Sequence, residues 1–242
     1  MAATAHLDNR TQPGVSSQTA VSWSLTAAGL FLGSALLQLV ASLERWVVLR
    51  DSPTSADTSI EDHRFDYSYP AEPWENLGST AQLFGVGLLL VALGILAMAR
   101  VARNGRVERM LSLATAASFG IAGVHALVSG LLGVPSPLQF LPVQVPLNLV
   151  GVVGLIILAA RWLRSSWAAS ASCVLLLGVT LPGYLLATFQ IAPAFAGYQS
   201  HDTTPFTETI VAVSTAAAGV AMLIAAGVTA WSRRRSANNE VG

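Results

Sequence analysis

The chain has 242 residues, 53% of them hydrophobic and only 11% charged, and its mean hydropathy is +0.57. Soluble domains carry about 25% charged residues, so the composition excludes an ordinary soluble domain and points to a membrane protein. Lysine is absent and Cys173 is the one cysteine, which excludes Schiff-base chemistry, a Walker-type phosphate loop, an intrachain disulfide and a cysteine-based zinc or redox pair.

Residues 1–20 are polar, with Asp8 and Arg10 as their charges. That is a poor start for a cleaved signal peptide, so a disordered N-terminal segment ahead of a retained first span is expected. A membrane-spanning helix needs ~20 mostly apolar residues, and six such runs follow. The first covers about Val21 to Leu43 and continues as a polar-capped helix toward Leu49, carrying Gln38, Ser42, Glu44 and Arg45 near its end.

Residues 50–76 form the long connection. Its first part, "DSPTSADTS", reads as a flexible linker. Its second part, "EDHRFDYSYPAEPWENLG", holds five carboxylates and four aromatic rings. Phe65, Tyr67 and Tyr69 alternate with polar residues, a short-strand pattern. Pro70 and Pro73 stop any helix, and Trp74 suits an interfacial belt. An ordered lid is expected, with its rings packed down, its carboxylates outward, and Asp62, His63, Asp66, Tyr67, Tyr69 and Trp74 as its key residues.

The second span, about Leu77 to Ala99, follows Asn76 and carries Gln82. The third, about Met110 to Gly133, sets Ser118, Ala122, His125 and Ser129 on one face. A proline-rich loop leads to the fourth, about Val143 to Ala160, which opens with Gln144 and Asn148. The fifth, about Ala168 to Phe189, contains Pro182-Gly183, which should kink it, followed by Tyr184, Thr188 and Gln190. The sixth runs from about Thr209 to Trp231, with Glu208 at its start and a basic tail, 232–242, behind it. Gly29 and Gly33 in the first span offer a site for close helix crossing, as do Ala217, Ala221 and Ala225 in the sixth.

Charge gives the orientation. Arg100, Arg103, Arg106 and Arg109 join spans two and three, Arg161 and Arg164 join four and five, and Arg233, Arg234 and Arg235 follow six. The alternate connections are acidic or uncharged. Cytoplasmic loops collect arginine, so both termini are expected in the cytoplasm and the 50–76 lid outside.

The expected fold is an all-α integral membrane protein of the plasma membrane, a six-transmembrane-helix bundle over residues 21–231 with an ordered extracytoplasmic loop between helices 1 and 2. Polar side chains collect in the outer halves of the spans, where they are costly and often functional. Gln38, Glu44, Arg45, Gln82, His125, Gln144, Asn148 and Tyr184 are the candidates for an outer cavity under the lid. The alternative is packing glue, at ~0.6 kcal/mol for each interhelical bond.

The expected function is binding of a small amphipathic or lipid-like ligand, or of a partner subunit, at the outer face, with the lipid bilayer as surroundings. A homo-oligomer is compatible with this; a nucleic-acid partner is not expected, and no cofactor is implied. Two alternatives are a membrane transporter and an extracytoplasmic enzyme or metal protein using His63, His125 and His201. The latter lacks a His-x-x-x-His or Glu-x-x-His pair on any helix, and no Gly-x-Ser-x-Gly, His-Glu-x-x-His or paired-Asp membrane-protease motif occurs.

Overall fold

A computed structural model describes residues 17–49, 63–102, 105–198 and 203–239, and these are 83% helical with no strand. The apolar runs become helices because a long uncharged stretch can satisfy its backbone groups internally only that way. Helix α1 is Ser17–Leu43 and ends in a π-helical turn, Glu44–Val48. Helices α2, α3 and α4 are Thr80–Val101, Arg106–Leu132 and Leu141–Trp162. Helix α5 is Trp167–Leu176, with a 3-10 turn, Leu177–Val179, behind it. After Thr180 the chain restarts as α6, Leu181–Leu186, passes through a π turn, Ala187–Ile191, and ends in α7, Ala192–Ala196. Helix α8 is Thr207–Asn239.

Among the described residues five helices are long and apolar enough to cross a membrane, and six spans result if the bent pair 167–179 and 181–196 counts as one. That pair is bent by 67° at the break. The break falls earlier than the Pro182-Gly183 position that the sequence suggests. Proline cannot donate to the carbonyl four residues back and clashes with the preceding turn, so the helix stops at Val179. Thr180 turns extended, with ψ 162°, and Pro182 sits in the first turn of α6, where it is tolerated.

Each span packs on the next in the chain, and α8 closes the ring by lying against both α5 and α1. The centre is filled by Phe31, Ile95, Met98, Leu155, Leu158, Leu176 and Met222, all essentially inaccessible. Outward side chains such as Leu36, Leu93, Leu113 and Val213 remain exposed, as expected of faces that meet lipid tails. Glycines allow a close crossing between α2 and α3. A Cβ on Gly123 would stand 2.8 Å from the Gly85 carbonyl oxygen. Gly29 is exposed with nothing near it and Gly33 has ordinary contacts, so the expected close approach through that pair does not occur.

The two ends of the ring differ. At one end Arg161 reaches from α4 to Glu108 on α3. At the other, the loop end, residues 63–78 lie over the helix ends. This segment contains a 3-10 turn, His63–Phe65, and no strand, so the alternation of Phe65, Tyr67 and Tyr69 does not produce the expected extended pairing. It is tied locally instead: the Glu75 N–H bonds the Arg64 carbonyl at 2.6 Å.

Candidate functional site

Tyr67 and Trp74 are buried under the loop end, and the Tyr67 ring meets Phe84 of α2 edge-on at 5.6 Å. The side chain of Asp66 also points inward and is only 6% exposed. Glu72 and Glu75 face outward as expected, and Asp66 is the described lid carboxylate that does not. Asp66 Oδ1 accepts the Ser68 N–H at 2.9 Å, a local turn of the kind Asp favours, and the turn carries the carboxylate under the loop. Burial pushes the Tyr67 phenol well above its ordinary range, with the Glu208 charge adding and Arg45 opposing. Tyr69 is pushed up likewise, by burial and then by the Asp66 charge, against the pull of its bond to Asn148.

His125 anchors the loop from α3. Its Nε2 is 3.0 Å from the Pro70 carbonyl and its Nδ1 is 2.6 Å from Ser136 Oγ. A carbonyl only accepts, so Nε2 carries the proton and Nδ1 accepts from the Ser136 hydroxyl. Ser136 Oγ in turn accepts the Leu138 N–H at 3.3 Å, and the Ser136 N–H bonds Ser129 Oγ at 2.9 Å. One imidazole thus joins the loop to the α3–α4 connection. Gln139 extends the link by accepting the Glu72 N–H at 2.9 Å.

Beside these bonds lies a cavity of about 320 Å³, at the low end of the ~300–1,000 Å³ typical of small-molecule sites. Its polar wall comprises Asp66, Tyr69, His125, Gln144, Asn148 and Tyr184, joined by Gln139, Thr188 and Thr203. The Tyr69 hydroxyl donates to Asn148 Oδ1 at 3.0 Å, and Asn148 Nδ2 donates to the Gln144 carbonyl at 3.0 Å. The Tyr184 hydroxyl stands 3.4 Å from both Asp66 Oδ1 and Thr203 Oγ1. Thr188 is 2% exposed and its hydroxyl has no partner. The rest of the lining is apolar: Pro70 and Ala71 of the loop, Leu141 and Val145 from α4, and Leu181, Leu185 and Phe189 from the α6 arm. Leu141, Val145 and Leu185 are exposed on the outside of the bundle, so the cavity reaches the face that would meet lipid.

Four of the eight cavity candidates line this space: His125, Gln144, Asn148 and Tyr184. The other four serve elsewhere. Gln38 bonds Ser34 Oγ at 2.9 Å, and Thr215 Oγ1 lies 3.5 Å from its Oε1. It is packed between α1, α2 and α8, with Ser34 donating onward to the Gly87 carbonyl. Gln82 donates to the Gly130 carbonyl of α3 at 2.7 Å. Glu44 accepts both the N–H and the hydroxyl of Ser79, capping α2 from α1. Arg45 pairs with Glu208. Each of these four is consumed by a helix-to-helix bond, which fixes it away from the cavity.

Of the lid residues, Asp66 and Tyr69 reach the cavity, and Tyr67 and Trp74 pack into the core. Asp62 and His201 lie outside the described residues, as does the His63 side chain. Among the described residues no group of three or more His, Cys, Asp or Glu side chains could hold a metal ion, and both ring nitrogens of His125 are already bonded. The cavity residues that sequence reasoning missed are Gln139, Leu141, Val145, Leu181, Leu185, Phe189 and Thr203, while Thr188 was noted only as a polar residue of its span. The signal available was spacing: Leu181 and Leu185, Tyr184 and Thr188, and Gln144 and Asn148 each stand four apart and share a helix face.

Comparison with protein-family models, with curated proteins and with solved structures gave no match.

Proposed function

We propose that this is a multi-pass plasma-membrane protein that binds a small amphipathic or lipid-like ligand at its extracytoplasmic face. In this reading both termini are cytoplasmic and residues 63–78 are the lid. The polar head of the ligand sits under the lid, and its tail lies in the gap between α4 and the α6 arm. The topology rests on the arginine clusters, which belong to the connections opposite the lid. The binding reading rests on one observation: the cavity is lined both by polar side chains, including Asp66 and Tyr69 of the loop, and by apolar side chains exposed on the outside of the bundle. Amphiphiles match that division, since each end finds its own kind of surface.

Two experiments test this. For topology, a Glu75→Cys variant in a Cys173→Ser background is treated in intact cells with a membrane-impermeant maleimide. Labelling is expected; labelling only after lysis overturns the orientation. For binding, full-length protein is purified in a mild detergent and the lipids it retains are extracted and weighed by mass spectrometry. Leu185→Trp fills the gap and should strip the retained amphiphile, while Leu93→Trp, on an outward face elsewhere, should not. An identical lipid complement on wild type and a folded Leu185→Trp overturns the proposal.

The transport reading has one observation in its favour. Thr180, at the break, lines both a small space walled by Tyr69, Asn148 and Tyr184 and an apolar groove lined by Pro182, Gly183 and Ala187, and broken helices are a device of transporters. Flux of the retained amphiphile between the leaflets of reconstituted vesicles would separate transport from binding alone.

A further inference from the structure

Among the described residues, three charged side chains are buried at the loop end: Arg45, Glu208 and Asp66. Arg45 and Glu208 neutralise each other through a 2.7 Å bond. Asp66 is left over. The Arg45 charge is felt at Asp66 as well as at Glu208, but one cation cannot balance two carboxylates. Asp66 Oδ1 receives only neutral donors, the Ser68 N–H and the distant Tyr184 hydroxyl. Buried charge is costly unless paired, and this carboxylate lines the cavity. Among the described residues no arginine lines it, and both ring nitrogens of His125 are already bonded to the loop and to Ser136.

The walls around Asp66 are aromatic. Tyr69 and Tyr184 meet edge-to-face at 6.3 Å with their planes at 84°, forming a corner, and Phe189 lines the same space. A carboxylate beside aromatic faces is the chemistry that recognises an ammonium group, since the ring quadrupole attracts cations. The unpartnered Thr188 hydroxyl, buried in the same wall, offers a further acceptor.

We propose that the head group bound in the cavity is cationic, an ammonium group, with Asp66 as its counter-charge and Tyr69 and Tyr184 as its aromatic wall. This rests on the amphiphile-binding reading above and names the class of head that it takes. The tail then leaves past Leu141, Val145 and Leu185. An ammonium group could also arrive on a small soluble amine, and the test separates the two sources.

Full-length protein in a non-ionic detergent is titrated with four probes and read by native mass spectrometry. The probes are dodecyltrimethylammonium, dodecyl phosphate, dodecanol and tetramethylammonium. The first is expected to bind about tenfold more tightly than the second. Asp66→Asn should erase that preference while dodecanol still binds, which shows the cavity intact, and Asp66→Glu should keep it. Should Asp66→Asn fail to fold, Tyr69→Leu provides the second variant, with an expected loss of about fivefold for the ammonium probe alone. Equal binding of phosphate and ammonium heads to the wild type, or an unchanged preference in Asp66→Asn, overturns the cationic head and leaves amphiphile binding standing. Tetramethylammonium binding as tightly as its dodecyl analogue keeps the ammonium site and overturns the tail. Probes whose binding is indifferent to Leu185→Trp overturn the amphiphile reading itself.

Discussion

Arg45, in the π turn that ends α1, donates from Nη1 to Glu208 Oε1 in the first turn of α8 at 2.7 Å, and both side chains are more than nine-tenths buried. Trp46 Nε1 occupies the other carboxylate oxygen at 2.7 Å, and the Arg45 guanidinium lies 4.5 Å from the Trp46 ring. The pair closes the helix ring where the first and last spans meet. Desolvation offsets much of its attraction, but removing one partner strands a buried charge, at a cost of about 3–5 kcal/mol. Glu208→Ala is therefore expected to destabilise the protein by roughly that amount. The double variant Arg45→Met, Glu208→Leu should lose less than the sum of the two single changes. Denaturation midpoints in detergent check this, and additive losses would show that the two groups act separately.

A second junction joins the same turn of α1 to α2. Ser79 precedes α2 but makes no cap bond with its own side chain. Glu44 supplies the cap instead, with Oε1 2.9 Å from the Ser79 N and Oε2 2.7 Å from its hydroxyl. A carboxylate at a helix N-terminus also meets the positive end of the helix dipole. Gly78, at φ +53°, brings the chain so close to this carboxylate that a Cβ would run into Glu44 Oε1. Glu44→Ala should cost about 1 kcal/mol. Gly78→Ala should cost more, because it adds a strained φ to the lost cap. If Gly78→Ala is neutral in the thermal midpoint, the Glu44 contact is not holding the turn.

The helices were legible because each is a long apolar run, and the bend between α5 and α6 was legible from its proline. Which polar residues would share a space was only half legible. Ser34 and Gln38 stand four apart on α1, so their mutual bond could have been read from spacing alone. Sequence position gives a side chain its face, yet not the neighbour across the gap. Gln82 and Asn148 look alike in sequence, but Gln82 faces the Gly130 carbonyl, left free in the last turn of α3, while Asn148 faces the loop. Glu208 reads as an ordinary interfacial charge until Arg45 is placed against it. Asp66 could not be distinguished from its solvated neighbours, because its direction follows from a two-residue turn in an irregular segment rather than from any period.

His125 is expected to hold the loop down through its bond to the Pro70 carbonyl. Losing a buried bond and leaving the Pro70 carbonyl and the Ser136 hydroxyl proton without their imidazole partner costs about 1–3 kcal/mol. His125→Leu should therefore speed amide exchange over residues 66–76 by about 10- to 100-fold. Exchange in the centre of α2, around Val91 and Ile95, should stay unchanged. Equal acceleration in both places would mean that His125 supports the whole bundle rather than the loop.

Tyr67 buries its hydroxyl without a hydrogen-bond partner, while its ring packs edge-on against Phe84 and lies near Arg45. A buried, unbonded hydroxyl costs about 1–3 kcal/mol, and removing it while keeping the ring leaves the packing in place. Tyr67→Phe is therefore expected to raise the thermal midpoint, the reverse of most core changes. The same burial fixes a pH dependence. An unfolded phenol ionises near pH 10, and Tyr67 and Tyr69 hold their protons well above that in the folded protein. The folded state thus binds the proton more tightly, so its stability is complete below about pH 10 and is lost as pH rises toward the folded values. Denaturation midpoints should be flat to about pH 9 and fall above pH 10, more gently in Tyr67→Phe. Phenolate absorbance near 295 nm should show late-ionising tyrosines, with less late signal in Tyr67→Phe and Tyr69→Phe. If both variants titrate as the wild type does, the two rings are not buried as described.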